Sequence, residues 1–357
     1  MSSDTTGTTG IRPGRAVLYL GLFAAVMIAG NILVERFDTA VLPEEIAAKY
    51  AHFKQHKDEY DLIFIGPSFV LRSIDPVRFD ARMRAAGYEV KSFNFGIPGM
   101  RFHEGRVLLD RILALDPARL KWVITDITAL EVETVHDENW LSLRTAWWHG
   151  LGATRDVCLA VLSEDEPLGV RIHEVYGHVL HMLLKGFHVG LARRMLLDPP
   201  VLAAVKNEGF ESLEDHYEDV SPEDRARHRA FMEGIEQYEK DVNQLEKNWG
   251  QYEERVAGAA APAWAVRAVR EDVASLRGAG IEPLYMLAPG LRMKAPALWL
   301  YRYGHIPELF AYNHPQRFSE LYQKDMRYDA THVNAAGAAR LTELMADDFV
   351  QYLERKP

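Results

Sequence analysis

The stretch DLIFIGPSFVLRSIDP, residues 61–76, contains the pattern that decides the fold of this chain. Four consecutive apolar residues, 62–65, lead into Gly66 and Pro67, and a serine follows at position 68. A short apolar run that ends in glycine and proline is typical of a buried β-strand and the turn after it. The stretch therefore predicts a strand over 60–66 with Ser68 at its carboxyl end.

Three similar apolar runs occur later in the chain, and helical patterns separate them. Strands are predicted at 88–96, 120–128 and 281–289. Helices are predicted at 76–87 and 103–115, and an amphipathic helix ends the chain. Strands that alternate with helices indicate an α/β fold with a parallel sheet flanked by helices. Such sheets carry their functional residues at the carboxyl ends of the strands.

Composition and charge limit the classes of function. The 357 residues are 48% hydrophobic and 26% charged, an ordinary globular mixture that allows one large domain or two. The net charge of −10 argues against nucleic-acid binding, because no basic surface is available to neutralise phosphates. The single cysteine, Cys158, excludes an intramolecular disulfide and a cysteine-rich metal site. Nothing in the sequence indicates a cofactor.

The N-terminal region contains a candidate membrane anchor. Residues 16–34 carry no charge, and 19 helical residues reach roughly 28 Å, enough to cross the hydrocarbon core of a bilayer. We predict a leader at 1–15 and a transmembrane helix at 16–36. Basic Arg12 and Arg15 precede the helix, so the N-terminus is expected in the cytoplasm of a bacterial cell and the remaining chain in the periplasm, outside the inner membrane. A cleaved signal peptide and a buried helix are the alternatives.

The remaining chain divides into three parts. A polar helical stem is predicted at 37–59, the α/β domain at 60–139 and 261–357, and a helical insertion or cap at 140–260. The second half of the insertion, 207–255, is heavily charged and is expected to be a solvated arm. Four histidines in the first half raise the hypothesis of a metal site, but no H-E-x-x-H spacing accompanies them, so no metal is predicted. They are His173, His178, His181 and His188.

The segment YDATHVNAAGAARLTELM, 328–345, places Asp329 three residues before His332. A histidine next to an orienting carboxylate is what a serine nucleophile needs as its general base. Asp325 is the alternative carboxylate, and Asn334 and Gly337 are expected to shape the loop and cap the final helix. Ser68 is the candidate nucleophile; its alternative role is to cap the helix that follows it.

The order of G-x-S at the first strand, N-x-G in the second and D-x-x-H before the last helix resembles the SGNH (GDSL-type) hydrolase superfamily. The resemblance covers residues 60–355 and implies a flavodoxin-like sheet. It implies Ser68 as nucleophile, with Pro67 where the founding motif has aspartate, His332 as base and Asp329 as the acid that orients it. It also implies that the backbone N–H groups of Ser68 and Gly96 form the oxyanion hole.

The chain departs from this family after the third strand. The family's third block supplies an asparagine to the oxyanion hole, whereas this sequence reads VITDITALE, with Thr125, Asp126 and Thr128 in that region. An ionised Asp126 would oppose an oxyanion. Three alternatives follow: a threonine hydroxyl substitutes, the backbone acts alone, or the site is catalytically weak.

Four residues are candidates for substrate contact. Arg72 follows Ser68 and suits an anionic or sugar substrate, with a surface salt bridge as the alternative. Asn94 contacts substrate or fixes the turn before Gly96. His103 lines the pocket or has a structural role at a helix start. Thr128 lies at the altered third block.

The anchor and the phrase SIDPVRFD, 73–80, resemble membrane-anchored relatives such as alginate O-acetylation proteins and the D-alanine-transferring protein of teichoic acid modification. The resemblance implies an extracytoplasmic acyltransferase or esterase that acts on O-acyl groups, expected to be acetyl, of a cell-envelope glycan through an acyl-serine. A membrane-bound O-acyltransferase is the expected partner. The alternatives are a general SGNH esterase and a non-catalytic scaffold of a polysaccharide synthesis or export complex.

Overall fold

The computed structural model describes residues 13–34, 42–132, 134, 142–188, 202–214 and 222–356. The five strands are β1 (Leu62–Gly66), β2 (Ser92–Gly96), β3 (Trp122–Asp126), β4 (Glu282–Leu287) and β5 (Leu309–Ala311). The first helices are α1 (Pro13–Val34), α2 (Glu44–His56), α3 (Ser68–Ser73), α4 (Pro76–Ala85) and α5 (Phe102–Leu113). Those of the middle region are α6 (Leu143–Ala146), α7 (Leu151–Ser163), α8 (Leu168–Gly186), α9 (Pro222–Glu233), α10 (Ile235–Gly250) and α11 (Tyr252–Ala257). The last are α12 (Ala263–Gly278), α13 (Ala295–Arg302) and α14 (Ala335–Arg355).

The strands form one parallel sheet in the order β2-β1-β3-β4-β5. The prediction of an α/β fold with a parallel sheet flanked by helices is confirmed, and each of the four predicted strands is present. The short strand β5 was not predicted, because three residues are too few to give a periodic signal. Strand β2 lies on one side of β1, whereas β3, β4 and β5 follow in order on the other side, so the direction of strand addition reverses after β2. Such a reversal leaves a crevice at the carboxyl ends of the two central strands.

Both faces of the sheet are buried. Leu62 and Phe64 belong to one apolar cluster, and Ile63 and Ile65 to another, because successive side chains of a strand point to opposite faces. On the first face α4 and α14 contribute Phe79, Leu341 and Phe349. On the second face α2, α5 and α7 contribute Phe53, Ile112 and Val157. Burial on both sides explains why the strands are continuous apolar runs.

Helix α2 belongs to the α/β domain, so the prediction of a polar stem over 37–59 is wrong for this helix. Ile46, Tyr50 and Phe53 are buried, and the Phe53 ring lies 5.2 Å from that of Phe95 on β2. Their spacing of four and three residues gives the helix one apolar face. Lys49 and His52 stand between these residues and conceal the face in the sequence. Residues 37–41 of the predicted stem lie outside the described residues.

The described parts of the insertion at 142–188 and 222–260 are mainly helical, whereas 202–214 contains only the short 3-10 turn Asn207–Gly209, and the insertion is joined closely to the α/β domain. Helices α7 and α8 pack against each other as a hairpin. In the charged half, Tyr238 and Leu245 of α10 are buried, and the Tyr238 hydroxyl donates to the Tyr322 carbonyl oxygen at 3.0 Å. The expectation that 207–255 forms a solvated arm is therefore wrong for α10.

Helix α1 covers Pro13–Val34, where the membrane anchor was predicted, and large apolar side chains are exposed along it. They are Val17, Leu18, Tyr19, Leu22, Phe23 and Val26. A search of the described residues for a helix with the length and apolarity needed to cross a membrane finds none. The anchor therefore stays a prediction, and residues 1–12 and 35–36 of the predicted leader and anchor lie outside the described part of the chain.

Candidate active site

Ser68 is the first residue of α3 and lies at the carboxyl end of β1, as predicted. Gly66 ends the strand where a Cβ atom would come within 2.7 Å of the Asp126 Cβ atom, so only glycine fits. Pro67 follows with φ −75°, and its carbonyl oxygen accepts from the N–H groups of Val70 and Leu71. This tight turn leaves the Ser68 hydroxyl partly accessible at the edge of the sheet.

The structure brings Ser68, His332 and Asp329 together within hydrogen-bonding distance. His332 Nε2 lies 2.9 Å from Ser68 Oγ, although 264 residues separate them. His332 Nδ1 lies 3.1 Å from Asp329 Oδ2. The side chains of His332 and Asp329 are 12% and 10% exposed, so the site is shielded from solvent but still accessible to it. Nucleophile, base and orienting acid thus have the geometry of a catalytic triad.

The protonation states follow from the hydrogen bonds. Burial alone would raise the pKa of Asp329, but hydrogen bonds from His332 and the Thr331 N–H outweigh it and lower the pKa to about 2. The ionised carboxylate can only accept, so Nδ1 of His332 carries the ring proton. Nε2 is then the free base that accepts from the Ser68 hydroxyl.

The loop before α14 is held by the two residues predicted to shape it. Asn334 Oδ1 accepts from the Gly337 N–H at 2.9 Å and caps the helix. A Cβ atom at Gly337 would overlap the Met326 carbonyl oxygen. Asp325, the alternative acid, is exposed, and its backbone carbonyl accepts from the Asn334 amide. These contacts confirm the structural roles of Asn334 and Gly337 and exclude Asp325 as the partner of His332 in this geometry.

Arg327 is a supporting residue that the sequence did not indicate. Its guanidinium is 2% exposed and donates to the carbonyl oxygens of Asp329, Ala330 and Pro289. A buried arginine is costly unless its N–H groups are paired, and here they bind the turn between the acid and the base. Arg327 therefore fixes the backbone that carries both residues.

Gly96 and Asn94 have structural roles, which corrects the prediction for Gly96 and supports the alternative in which Asn94 fixes the turn before Gly96. The Gly96 N–H donates to Asn94 Oδ1 at 2.7 Å, so it does not point toward an oxyanion beside Ser68. The Asn94 amide nitrogen donates to the carbonyl oxygens of Val70 at 2.9 Å and Ile74 at 2.6 Å. Asn94 is fully buried, so it cannot contact substrate. It ties β2 to the helix that carries the nucleophile.

A turn next to Gly96 offers another backbone donor. In Ile97–Met100 the Met100 N–H donates to the Ile97 carbonyl oxygen at 3.1 Å, and Gly99 is exposed with φ +66°. Proline followed by a glycine with positive φ defines a type II turn. The Ile97 N–H donates to the Gly66 carbonyl oxygen, so this turn lies beside the chain that leads to Ser68. Sequence reasoning missed Gly99, although the Pro-Gly pair was the signal.

In the altered third block, Asp126 and Thr128 form hydrogen bonds with each other. Asp126 Oδ1 accepts from the Thr128 N–H at 2.9 Å, and Oδ2 accepts from the Thr128 hydroxyl at 2.8 Å. The same hydroxyl accepts from the Ala288 N–H at 3.1 Å. Thr128 is therefore not a substrate contact, because its hydroxyl is buried and used between β3 and β4. Burial raises the pKa of Asp126 to about 6, although its bonds to Thr128 oppose this.

The other two candidate contacts are also engaged within the protein. Arg72 Nη1 donates to the Glu211 carbonyl oxygen at 3.0 Å and lies 3.4 Å from Glu211 Oε2; the second contact supports the salt-bridge alternative, and the Arg72 side chain remains 19% exposed. His103 is 3% exposed, and its ring stacks on Trp264 at 5.4 Å. Burial lowers the pKa of His103 to about 3, so the ring is neutral. Of the two alternatives for His103, this supports the structural role at a helix start and excludes contact with substrate, since the ring is buried in the core.

A pocket begins one residue from Ser68, at the crevice between the carboxyl ends of β1 and β3. Much of its lining is apolar, from Ile65, Met100, Phe102 and Leu109. Its charged groups include Arg106 and Asp272, whose side chains form a hydrogen bond of 2.7 Å. The pairing reduces the charge that these two residues offer to a ligand. The pocket suits a small, mostly apolar group.

Lys49 of α2 is a second buried cation that sequence reasoning missed. Its ammonium donates to the carbonyl oxygens of Asn94 at 3.0 Å, Gly96 at 2.8 Å and Gly209 at 2.5 Å. Burial lowers the pKa of Lys49 to about 7, while three acceptors match the three N–H groups of the charged form. Lys49 thus joins the insertion to β2 below the active-site turn. Nothing local in its helix indicates this role.

Gly96→Ala should disrupt the site. A Cβ atom would overlap the backbone N and Cα atoms of Leu71, so α3 and Ser68 must move. We expect the free energy of unfolding to fall by about 3 kcal/mol, as for overpacked cores, and activity to be lost with it. Chemical denaturation would measure the first effect. Gly152→Ala is the control, because no atom lies within 4 Å of its Cβ position; equal stability of the two variants would contradict the packing.

Within the described residues, no group of three or more histidine, cysteine, aspartate or glutamate side chains is placed to hold a metal ion. His178 instead packs in the insertion, where His149 Nε2 lies 2.9 Å from its Nδ1 atom.

Comparison of the chain with models of protein families and with curated proteins gives no match.

Proposed function

We propose that the protein is a membrane-anchored serine acyltransferase or esterase of the SGNH type. It acts outside the cytoplasm on O-acyl groups, chiefly acetyl, of a cell-envelope glycan. The observation that carries the proposal is the hydrogen-bonded chain from Ser68 Oγ through His332 to Asp329, with separations of 2.9 and 3.1 Å. Its position at the carboxyl edge of a parallel sheet, beside a pocket, adds support.

The chemistry follows from this chain of hydrogen bonds. Ser68 Oγ attacks the acyl carbonyl carbon while its proton passes to His332 Nε2. The C–O bond to the leaving alcohol then breaks, and the leaving oxygen takes the proton from His332, which gives an acyl-Ser68. An acceptor hydroxyl, from water or a glycan, repeats the two steps in reverse. Asp329 stays ionised and stabilises the imidazolium.

The oxyanion needs backbone donors, because the segment VITDITALE, 123–131, contains no asparagine. The Ser68 N–H is one, since it lies at the open N-terminal turn of α3. We assign the second to the turn containing Gly99, because Gly96 is engaged with Asn94. Asp126 is bound to Thr128 rather than directed at the reacting atoms. Two donors aimed at the oxyanion lower the barrier by about 5 kcal/mol together, from the effect of removing single donors.

The substrate assignment rests on the pocket and on α1. A small pocket next to Ser68 favours a short acyl chain over a fatty acyl chain. The exposed apolar side chains of α1 are suited to a bilayer. An anchored enzyme outside the cytoplasm needs an acyl donor there, which a membrane-bound O-acyltransferase would supply. An acylated glycan of the envelope is then the substrate within reach.

A fluorophosphonate probe tests the proposal directly. The probe phosphonylates a serine only when a base activates it, so we expect labelling of Ser68, identified by mass spectrometry of the modified peptide. The His332→Ala variant, with Ser68 intact, is expected to lose the labelling. An unlabelled wild-type protein would overturn the catalytic proposal and favour the scaffold alternative.

A further inference from the structure

Helix α8 directs two histidines toward the protein interior and an apolar face outward. The residues that it buries most deeply are Gly177, His178 and His181. The outer face of α8 consists of six large apolar side chains, each between 36% and 61% exposed, at spacings of three and four residues. They are Leu168, Ile172, Tyr176, Val179, Leu183 and Phe187. A helix in contact with water normally turns such a face toward the core.

Helix α7 extends this surface. Leu151, Leu159 and Leu162 are 79%, 46% and 45% exposed, and α7 packs along α8. The other exposed large apolar residues described between 42 and 356 lie away from the hairpin, except for Val170 at the start of α8. They are Val77, Leu202 and Met232, and the pair Tyr301 and Tyr303 at the end of α13. A cluster of exposed apolar residues on two packed helices indicates an interaction surface, whereas single exposed residues do not.

The path of the chain indicates what covers the surface. Leu42, where the described domain begins, belongs to the same buried cluster as Trp148, which precedes α7, and Val157 and Val161 on the inner face of α7. The eight Cα steps from Val34, at the end of α1, to Leu42 span at most roughly 28 Å. If α1 lies in a bilayer, the side of the domain that carries the hairpin is therefore held close to that bilayer.

We infer that the outer face of α8, extended by α7, lies in the lipid surface of the membrane that holds α1. This rests on the anchor in the proposed function. Residues 151–187 contain five acidic and three basic side chains, so burial of apolar groups drives the contact rather than attraction to anionic headgroups. The hairpin orients the active site relative to the membrane, as a second contact beside the anchor.

Fluorescent labels on the full-length chain test this contact. Cys158 is the only cysteine, so Cys158→Ala gives a background for single labels. A nitrobenzoxadiazole label is placed at Ile172→Cys on α8. The matched control is Val77→Cys on α4, an apolar residue 55% exposed on the other face of the sheet. Each protein is reconstituted into phosphatidylcholine vesicles with and without bromine on the acyl chains.

We expect emission at position 172 to fall by about half with brominated lipid, since interfacial helices sit at acyl-chain depth, and emission at 77 to be unchanged. Added phosphatidylglycerol should not strengthen the quenching. Equal, water-like emission at both positions overturns the inference. A label at position 172 that is shielded from water but not quenched by bromine also overturns it, because a second copy or another protein then covers the surface. Sedimentation with vesicles after a carbonate wash reports separately on the insertion of α1 in the membrane, and fluorophosphonate labelling reports on catalysis. Failure of the hairpin contact can therefore be distinguished from failure of the anchor or of catalysis.

Discussion

Ser68→Ala should lower kcat for a chromogenic acetyl ester by about 10⁴- to 10⁶-fold, because the acyl group is transferred to the Ser68 hydroxyl. The substitution removes one oxygen atom at the start of a short helix and leaves the cap at Pro67 unchanged. The fold should therefore be retained, and the melting temperature should stay close to that of the wild type. Initial rates at saturating ester, measured on the anchored chain in detergent, give the comparison.

Ser275→Ala is the matched control for this variant. Ser275 is an exposed serine on α12, away from the triad, so its kcat should equal that of the wild type. Turnover by Ser68→Ala within tenfold of the wild type would exclude the acyl-serine mechanism. If neither the wild type nor Ser275→Ala hydrolyses the ester, transfer to an oligosaccharide acceptor is the reaction to measure.

Asp329→Asn should reduce kcat by about 10⁴-fold with little change in KM. An asparagine can turn its amide nitrogen toward Nδ1 of His332, which favours the tautomer with the proton on Nε2. That nitrogen then cannot accept the proton of Ser68. The steric change is small, and the side-chain oxygen can still accept from the N–H groups of Thr331 and His332.

The control is Asp325→Asn, an exposed carboxylate four residues earlier in the chain, for which no change is expected. A large loss of activity in Asp325→Asn but not in Asp329→Asn would reverse the assignment.

The pH dependence of the free energy of unfolding gives a second check on Asp329. Asp329, with a pKa of about 2, binds a proton only in strong acid, so its contribution to stability is present near neutrality and lost as the pH falls toward 2.

Most of the sheet could be read from the sequence because its strands are buried on both faces. Such strands are continuous apolar runs, and glycine or proline marks their ends. Helix α2 was misread because its partner lies elsewhere: Phe53 packs on Phe95, and the helix sequence alone mixes four charged residues and two histidines with six apolar ones. The short strand β5 gave no signal at all.

The polar residues of the site were harder to assign than the triad. Asn94, His103 and Thr128 are polar residues close to strand ends, which is where substrate contacts are expected. Each of them is buried, and each has a partner far away in sequence: Val70 for Asn94, Trp264 for His103 and Ala288 for Thr128. The type of a polar residue does not reveal whether its partner is a ligand or a backbone group.

The sequence by itself determined the α/β class, the position of Ser68 after a strand and the pairing of Asp329 with His332. These features are local, since they depend on apolar runs, turn residues and a three-residue spacing. Only the tertiary structure decided that His332 reaches Ser68 across 264 residues, that the Gly96 N–H is used by Asn94, and that the apolar face of α8 points outward. The physical reason is that burial and hydrogen bonding are satisfied by whichever groups the fold brings together, at any distance along the chain.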